Sequence, residues 1–129
     1  MHVGKPYKKL NQNKLVFDNI HDKLEGKTIL IRQGFNLSEL QEYIKKKDYN
    51  PEQKMSYFYK LVEEVGELAE VLRKNSRITD TGSIKGTIEE ELYDVLYYIV
   101  AIANLHDINL ENCVFKKEEI NKRKWTDQD

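Results

Sequence analysis

Two short acidic stretches are the most informative part of the sequence: EEVGE at residues 63–67 and its counterpart ELYD at residues 91–94. Each stretch places two carboxylates three residues apart inside an apolar helical pattern. Because an α-helix turns once in about 3.6 residues, side chains with this spacing project from nearly the same side of it. Two helices that face each other at these points would bring four carboxylates into one small volume. These carboxylates are Glu64, Glu67, Glu91 and Asp94.

Carboxylates that lie this close repel one another unless protons or cations lie between them. Mg²⁺ is the cation that the pattern favours, because it prefers oxygen ligands and keeps positions open for water and substrate phosphates. Di-iron helical bundles use Glu-x-x-His pairs, and no Glu of this chain is followed three positions later by His. The spacing therefore predicts a magnesium site rather than an iron site. The alternative is an ordinary solvated helix face.

The first acidic stretch lies on a predicted amphipathic helix that begins with Asn50 as N-cap and Pro51 at its first position. Apolar residues then recur at helical spacing from Phe58 to Leu72. Glu64 lies at the rim of this apolar stripe, and Glu67 lies further round on the same flank. Glu63 lies on the opposite flank. These positions favour Glu64 as a metal ligand, whereas Glu67 depends on its spacing to Glu64.

The second acidic stretch lies on a predicted helix that is apolar nearly all round. Thr87-Ile88-Glu89-Glu90 is a capping box that opens it, and Asp94 is the only charged residue between Leu92 and Leu105. Such a helix is buried on nearly every side, and a lone ionised carboxylate there is costly without a partner or a metal. Asp94 is therefore the strongest ligand candidate. Because one small domain can hardly cover every side of this helix, we also expect a subunit interface.

Residues 1–36 are predicted to form an N-terminal extension, and residues 37–129 a single helical domain. Within the extension, residues 1–13 are interpreted as a loosely held arm. The β-prone runs at 15–17 and 28–31 favour a small hairpin, with a helix over 18–25 as the alternative. The helical domain is predicted to open at a capping box in which Ser38 caps and Gln41 reaches back.

The last predicted helix runs from Leu110 to about residue 124, with Asn109 as its N-cap. Lys117, Asn121 and Lys124 recur at helical spacing near its end. Cationic and amide groups of this kind suit the outer phosphates of a substrate that is held through a metal. The alternative is a cationic helix C-terminus, which the helix dipole stabilises without any ligand.

Composition limits the possible functions. The formal net charge of −1 argues against nucleic acid as the partner. The N-terminus lacks the apolar core of a signal peptide, and no apolar run is long enough to span a membrane. The single cysteine, Cys113, rules out an internal disulfide and suits a reducing compartment, so we expect a cytoplasmic protein.

Residues 63–70 and 90–96 together resemble the all-α, MazG-like nucleoside triphosphate pyrophosphohydrolases, whose pattern is E-E-x-x-E followed after a variable loop by E-x-x-D. Further similarity covers residues 103–105 and 108–111, and the closing pattern Lys117-x-x-x-Asn121-x-x-x-Trp125. The resemblance spans roughly residues 37–125. It implies a four-helix bundle, assembled as a homodimer or homotetramer. It also implies cleavage of NTPs or dNTPs to the monophosphate and pyrophosphate with Mg²⁺, for which Mn²⁺ is a substitute.

The resemblance also implies roles for individual residues. The metal ligands would be Glu64, Glu67, Glu91 and Asp94. Glu63 would orient or deprotonate the attacking water, and Lys117 and Asn121 would touch the triphosphate or the sugar. The tryptophans that often stack on the base in this family are missing from the first helix. Candidates to replace them are Tyr43, Tyr49, Tyr57 and Phe58.

Two other functions remain open at this point. One is the phosphoribosyl-ATP pyrophosphohydrolase of histidine synthesis, an enzyme of the same superfamily. The other is a non-catalytic helical dimer that uses the acids to sense a nucleotide or a metal. The main prediction is a pyrophosphohydrolase that sanitises the nucleotide pool.

Overall fold

The architecture is the predicted all-α one, with a short sheet near the N-terminus. The structure is a computed structural model that describes residues 7–11, 14–17 and 30–127. A 3-10 turn at Pro51–Gln53 precedes the second helix. The helices are α1 at Leu37–Lys47, α2 at Lys54–Lys74, α3 at Ile78–Thr81, α4 at Ile88–Leu105 and α5 at Leu110–Asp127. Among the described residues, no helix combines the length and apolarity needed to cross a membrane.

The chain divides into two compact units. One consists of Met1–Asp48 with Asn109–Asp129, and the other of Tyr49–Ile108. The first unit therefore contains α1 and α5, and the second contains α2, α3 and α4. The division predicted from sequence, between residues 1–36 and 37–129, stays a prediction.

The sheet has three antiparallel strands in the order β1 at Tyr7–Asn11, β2 at Lys14–Phe17 and β3 at Leu30–Arg32. Leu15 pairs with Ile31 and Val16 with Leu30, so β2 and β3 fall in the two runs for which a hairpin was predicted. β1 pairs with β2 in a segment that was interpreted as a loose arm. The alternative helix over residues 18–25 lies outside the described residues.

The N-cap of α1 is Asn36, so the prediction of Ser38 was wrong. Asn36 Oδ1 accepts a hydrogen bond from the Glu39 backbone N at 2.7 Å, and Glu39 Oε1 accepts one from the Asn36 N at 2.8 Å. This reciprocal pair is a complete capping box two residues earlier than expected. The side chains assigned to the cap contact the first turn of α5 instead. The Ser38 hydroxyl donates to Glu111, and Gln41 Oε1 accepts from the backbone N of Leu110 at 2.8 Å.

The start of α2 also differs from the prediction. Pro51 occupies the first position of the 3-10 turn, and α2 itself begins at Lys54 with Gln53 as N-cap. Asn50 is the N-cap residue of that turn, but it makes no side-chain cap hydrogen bond. Its backbone N and its side-chain amide donate to the Tyr57 hydroxyl at 3.1 and 2.9 Å. The predicted helix therefore exists, but it begins after an extra turn of tighter helix.

α4 begins where the sequence predicted, and it packs along α2. Thr87 is its N-cap and accepts a hydrogen bond from the Glu90 backbone N at 3.2 Å. The buried surface of α4 includes Tyr98, whose ring meets the Tyr57 ring of α2 edge to face at 6.5 Å between centroids. Its other side remains exposed at Leu92, Leu96 and Ile99. The described part of the chain therefore does not cover α4 on every side.

α5 also begins at its predicted cap. Asn109 Oδ1 accepts a hydrogen bond from the Asn112 backbone N at 3.0 Å, which satisfies one of the free donors of the first turn. The helix runs to Asp127, about one turn beyond the predicted end.

Candidate metal centre

The packing of α2 against α4 brings three of the four predicted metal ligands together. Glu64 of α2 and Glu91 and Asp94 of α4 each offer one carboxylate oxygen, and these oxygens all lie within 4.8 Å of one another. Glu91 and Asp94 are one helical turn apart on the same side of α4, as their spacing predicted. Three of the four carboxylates that the sequence placed on two facing helices therefore form a single cluster.

Glu91 is the most deeply placed member of this cluster. Its exposed fraction is only 9%, whereas Glu64 and Asp94 are half-buried. Its Oε1 atom is buried and has no hydrogen-bond partner in the part of the chain that the structure describes. A buried polar atom without a partner is costly, and a cation bound at this oxygen would remove that cost. The donor set of three carboxylates suits a hard cation such as Mg²⁺.

The electrostatics of the cluster favour a bound proton or cation. Burial is the largest cause that raises the pKa of Glu91, to about 8, followed by a side-chain hydrogen bond with Glu64 and by the charge of Asp94. Burial also raises the pKa of Asp94, to about 6, with the Glu64 charge as the next cause. Three ionised carboxylates at this separation repel one another without a positive charge between them.

Glu67 and Glu63 lie outside the cluster. Glu67 is exposed, but its charge contributes to the raised pKa of Asp94, so it acts on the same site. Glu63 is exposed and forms an ion pair with Lys60 Nζ at 3.4 Å. The role of Glu67 as a metal ligand and that of Glu63 in activating water both stay predictions.

The predicted phosphate contacts lie on α5, in the other compact unit. Lys117 and Lys124 are exposed, and Asn121 is half-buried. The Asn121 side-chain amide donates to Glu118 Oε2 at 3.0 Å. Their role in substrate binding stays a prediction.

The four aromatic candidates for base stacking differ in how far their rings are exposed to solvent. Tyr43 and Tyr57 are buried, and the Tyr57 hydroxyl is engaged by Asn50. Tyr49 and Phe58 remain exposed, with 39% and 47% of their surface accessible. Only the exposed pair retains a ring surface on which a base can stack.

Sequence reasoning missed two charged groups that act on the cluster. Glu90 raises the pKa of both Glu91 and Asp94, and Lys85 lowers that of Asp94. The sequence indicated Glu90 as the acidic residue of the capping pattern at 87–90, although in the structure its Oε1 atom accepts a hydrogen bond from the Gly86 backbone N. Lys85 lies in the loop before α4, where no helical periodicity exists to indicate a direction for its side chain.

The chain is similar to known proteins over most of its helical part. The model of the MazG nucleotide pyrophosphohydrolase domain matches residues 52–124, a span that begins in the 3-10 turn and excludes α1. The C-tagged crystal structure of iMazG from Vibrio DAT 722 is 54% identical with a TM-score of 0.64, covering 68% of this chain and 99% of its own. Its N-tagged form is 54% identical with a TM-score of 0.65, covering 70% and 97%. A search of curated proteins found no significant match.

Proposed function

This chain belongs to the MazG nucleotide pyrophosphohydrolase family, and we propose that it uses Mg²⁺ to cleave nucleoside triphosphates to monophosphate and pyrophosphate. The observation that carries the proposal is the cluster of Glu64, Glu91 and Asp94, whose oxygens lie within 4.8 Å of one another. The partnerless buried oxygen of Glu91 supports a cation at this position.

Glu64, Glu91 and Asp94 would hold the metal, with Glu67 as the fourth ligand from the next turn of α2. Bound Mg²⁺ supplies charge neutralisation of the phosphates and a more acidic water. Glu91 would give up its proton when the metal binds, because a ligating carboxylate must be ionised. Because the pKa of Glu91 is raised to about 8, its carboxyl would hold that proton at neutral pH until a cation replaced it.

Glu63 would orient or deprotonate the attacking water. It lies next to Glu64 on α2, and its exposed carboxylate is free to move because its ion pair with Lys60 is a surface pair. Surface pairs of this kind contribute at most about 1 kcal/mol. Exchange of Lys60 for a water molecule therefore costs little.

Lys117, Asn121 and Lys124 would contact the phosphates or the sugar. Lys117 and Lys124 form none of the ion pairs among the described residues, so their charges are available for an anionic ligand. Contacts of this kind between ammonium groups and phosphate are strong because both partners are charged.

The active form would be a homodimer or homotetramer. The exposed apolar side chains Leu92, Leu96 and Ile99 on α4 support this, since a second copy would bury them. We place the enzyme in the cytoplasm, where the exposed free thiol of Cys113 would stay reduced and where nucleotide pools need sanitation.

The test is pyrophosphate release from a panel of dNTPs, NTPs and phosphoribosyl-ATP, with Mg²⁺ or Mn²⁺. We expect turnover of at least one dNTP or NTP with equal amounts of monophosphate and pyrophosphate. Turnover of phosphoribosyl-ATP alone would assign the chain to histidine synthesis. Nucleotide binding without turnover of any of these substrates would contradict the enzyme and support a sensing module.

A further inference from the structure

The unit Tyr49–Ile108 contains six lysines and arginines, and most of them are already paired. Lys60 pairs with Glu63, Arg73 and Lys74 with Glu70, and Arg77 with Glu89. Lys54 and Lys85 form none of the ion pairs seen among the described residues. These two side chains are therefore the cations of the unit that are available to an anionic ligand.

Lys54 and Lys85 differ in their distance from the carboxylate cluster. Lys54 is the first residue of α2, and ten residues of helix, or about 15 Å of rise, separate it from Glu64. Lys85 lies two residues before the N-cap Thr87 and six before Glu91. Only Lys85 enters the electrostatics of the cluster, where its charge acts on Asp94 in the direction opposite to the neighbouring carboxylates.

The backbone around Lys85 is fixed to the start of α4. The Gly86 backbone N donates to Glu90 Oε1 at 2.7 Å, and the Thr87 hydroxyl donates to the Ile84 carbonyl at 2.5 Å. Thr87 itself is fully buried. Gly86 adopts a positive φ of 74°, a conformation that other residues rarely take, and it turns the chain into the helix.

The opposite end of the same loop is fixed as well. The Ile88 backbone N donates to the Ser76 carbonyl at 2.8 Å, and Arg77 Nε donates to Glu89 Oε2 at 2.8 Å. The loop is thus held at both ends on the first turn of α4. The backbone of Lys85 is therefore fixed at the start of α4, six residues before Glu91, and its exposed side chain forms none of the ion pairs among the described residues.

We propose that Lys85 is a phosphate-binding residue, whose ammonium donates to an oxygen of the substrate's triphosphate group beside the carboxylate cluster. This inference rests on the proposed function, because it names a further contact of the same site. A triphosphate brings about four negative charges to a site that already holds three carboxylates, and one divalent cation cannot balance them. An unpaired lysine fixed at the edge of that site supplies part of the missing charge.

The test compares Lys85→Met with Lys85→Arg and with the matched control Lys54→Met. We expect Lys85→Met to raise KM about 10- to 100-fold, the loss typical of a hydrogen bond to a charged group. Lys85→Arg should restore most of the affinity, and Lys54→Met should leave KM unchanged. A thermal melt of each variant confirms that the fold is retained.

A second measurement separates ligand contact from a structural role and does not depend on turnover. Binding of inorganic triphosphate in the presence of Mg²⁺ is followed by calorimetry for wild type and the three variants. We expect Lys85→Met to weaken this binding by a factor similar to the rise in KM. Lys54→Met should bind as the wild type does.

The outcomes distinguish this inference from the proposed function. Turnover by the wild type with unchanged KM and triphosphate affinity in Lys85→Met would overturn the role of Lys85 alone. Absence of turnover with Lys85-dependent triphosphate binding would overturn the enzyme and retain the binding residue. The proposed role of Lys85 would also be overturned by equal effects of Lys54→Met and Lys85→Met. A wild type that binds no triphosphate would overturn it as well.

Discussion

Glu39 and Glu91 are both glutamates in the first turn of a helix, and their surroundings are opposite. Glu39 of α1 accepts a hydrogen bond from the Asn36 backbone N and pairs with Arg32 at 3.0 Å. The backbone hydrogen bond is the main cause that lowers its pKa. Glu91 of α4 has a buried oxygen without a partner, and burial among other carboxylates raises its pKa to about 8.

The surroundings of a glutamate in the first turn of a helix thus indicate whether it caps the helix or is available to bind a ligand. At the start of α1, Asn36 and Glu39 form a reciprocal capping box, and Arg32 supplies a positive charge next to Glu39. At the start of α4 like charges are collected, and the arrangement requires a proton or a cation. The following predictions test this difference.

The largest effect is expected at Asp94. Asp94→Asn keeps the shape of the side chain but removes a ligand charge, so activity should fall by more than the roughly 10- to 100-fold cost of losing an outer-shell partner. The helices should remain folded by circular dichroism. The matched control is Glu39→Gln, which changes a carboxylate of the capping box and should retain full activity. Full activity in Asp94→Asn would show that the metal assignment is wrong.

Glu67 and Glu63 should give smaller and distinct effects. Glu67→Gln should raise the Mg²⁺ concentration needed for half-maximal rate about tenfold, because it loses a ligand from the exposed side of the site. Glu63→Gln should lower kcat with little change in that concentration, as expected for a residue that acts on the water. A titration of rate against Mg²⁺ separates the two. Identical behaviour of the variants would remove the distinction between ligand and base.

The contributions of Glu91 and Glu39 to the stability of the fold should change with pH in opposite directions. In the metal-free protein, Glu91 binds its proton more tightly when folded than when unfolded, where its ordinary value is 4.5. Stability should therefore fall as pH rises from about 4.5 to about 8. The lowered pKa of Glu39 has the opposite sign, so its contribution is present above its ordinary value and is lost as pH falls.

Thermal melting in EDTA across this pH range measures the effect. Glu91→Gln should remove most of the fall in melting temperature between about pH 5 and 8, whereas Glu39→Gln should leave that fall in place. Added Mg²⁺ should reduce the fall in the wild type, since it replaces the proton. A wild type whose stability rises through this range, relative to Glu91→Gln, would contradict the electrostatics of the cluster.

The smallest effect is expected at the cap of α1. Asn36→Ala should lower the free energy of unfolding by about 1 kcal/mol, the usual cost of losing an N-cap side chain. Activity should not change at temperatures well below the melting point. Urea unfolding and the nucleotide assay check the two parts. A loss of activity without a loss of stability would mean that α1 takes part in the reaction.

The sequence contained enough to predict the helices of the site and three members of the cluster. The spacing of Glu91 and Asp94 placed both on one side of a helix. The apolar context of Asp94 predicted burial, but Asp94 is only half-buried and Glu91 is the most deeply buried acid of the cluster. Their contact with Glu64 was predictable because the acids on both helices lie beside the apolar faces through which the helices pack. Because clustered carboxylates repel one another, the sequence alone also indicated that a cation would bind there.

The sequence could not decide between the alternatives for other structural features. Asn36-x-x-Glu39 and Ser38-x-x-Gln41 fit the same capping pattern, and only the contacts of Ser38 and Gln41 with α5 decide between them. Asn50 is a good N-cap residue, but in the structure its side-chain amide donates a hydrogen bond to the Tyr57 hydroxyl. The position of Lys85 depends on hydrogen bonds between a loop and a helix, which periodicity does not reveal.

The most direct test of the central claim is a Mn²⁺ titration of wild type, Glu91→Gln and Glu39→Gln, followed by the electron paramagnetic resonance signal of free Mn²⁺. Mn²⁺ serves as the spectroscopic substitute for Mg²⁺. The wild type and Glu39→Gln should bind the ion with equal affinity, and Glu91→Gln should bind it at least about tenfold more weakly. Wild-type affinity in Glu91→Gln, or no binding by the wild type, would contradict a metal centre at Glu64, Glu91 and Asp94.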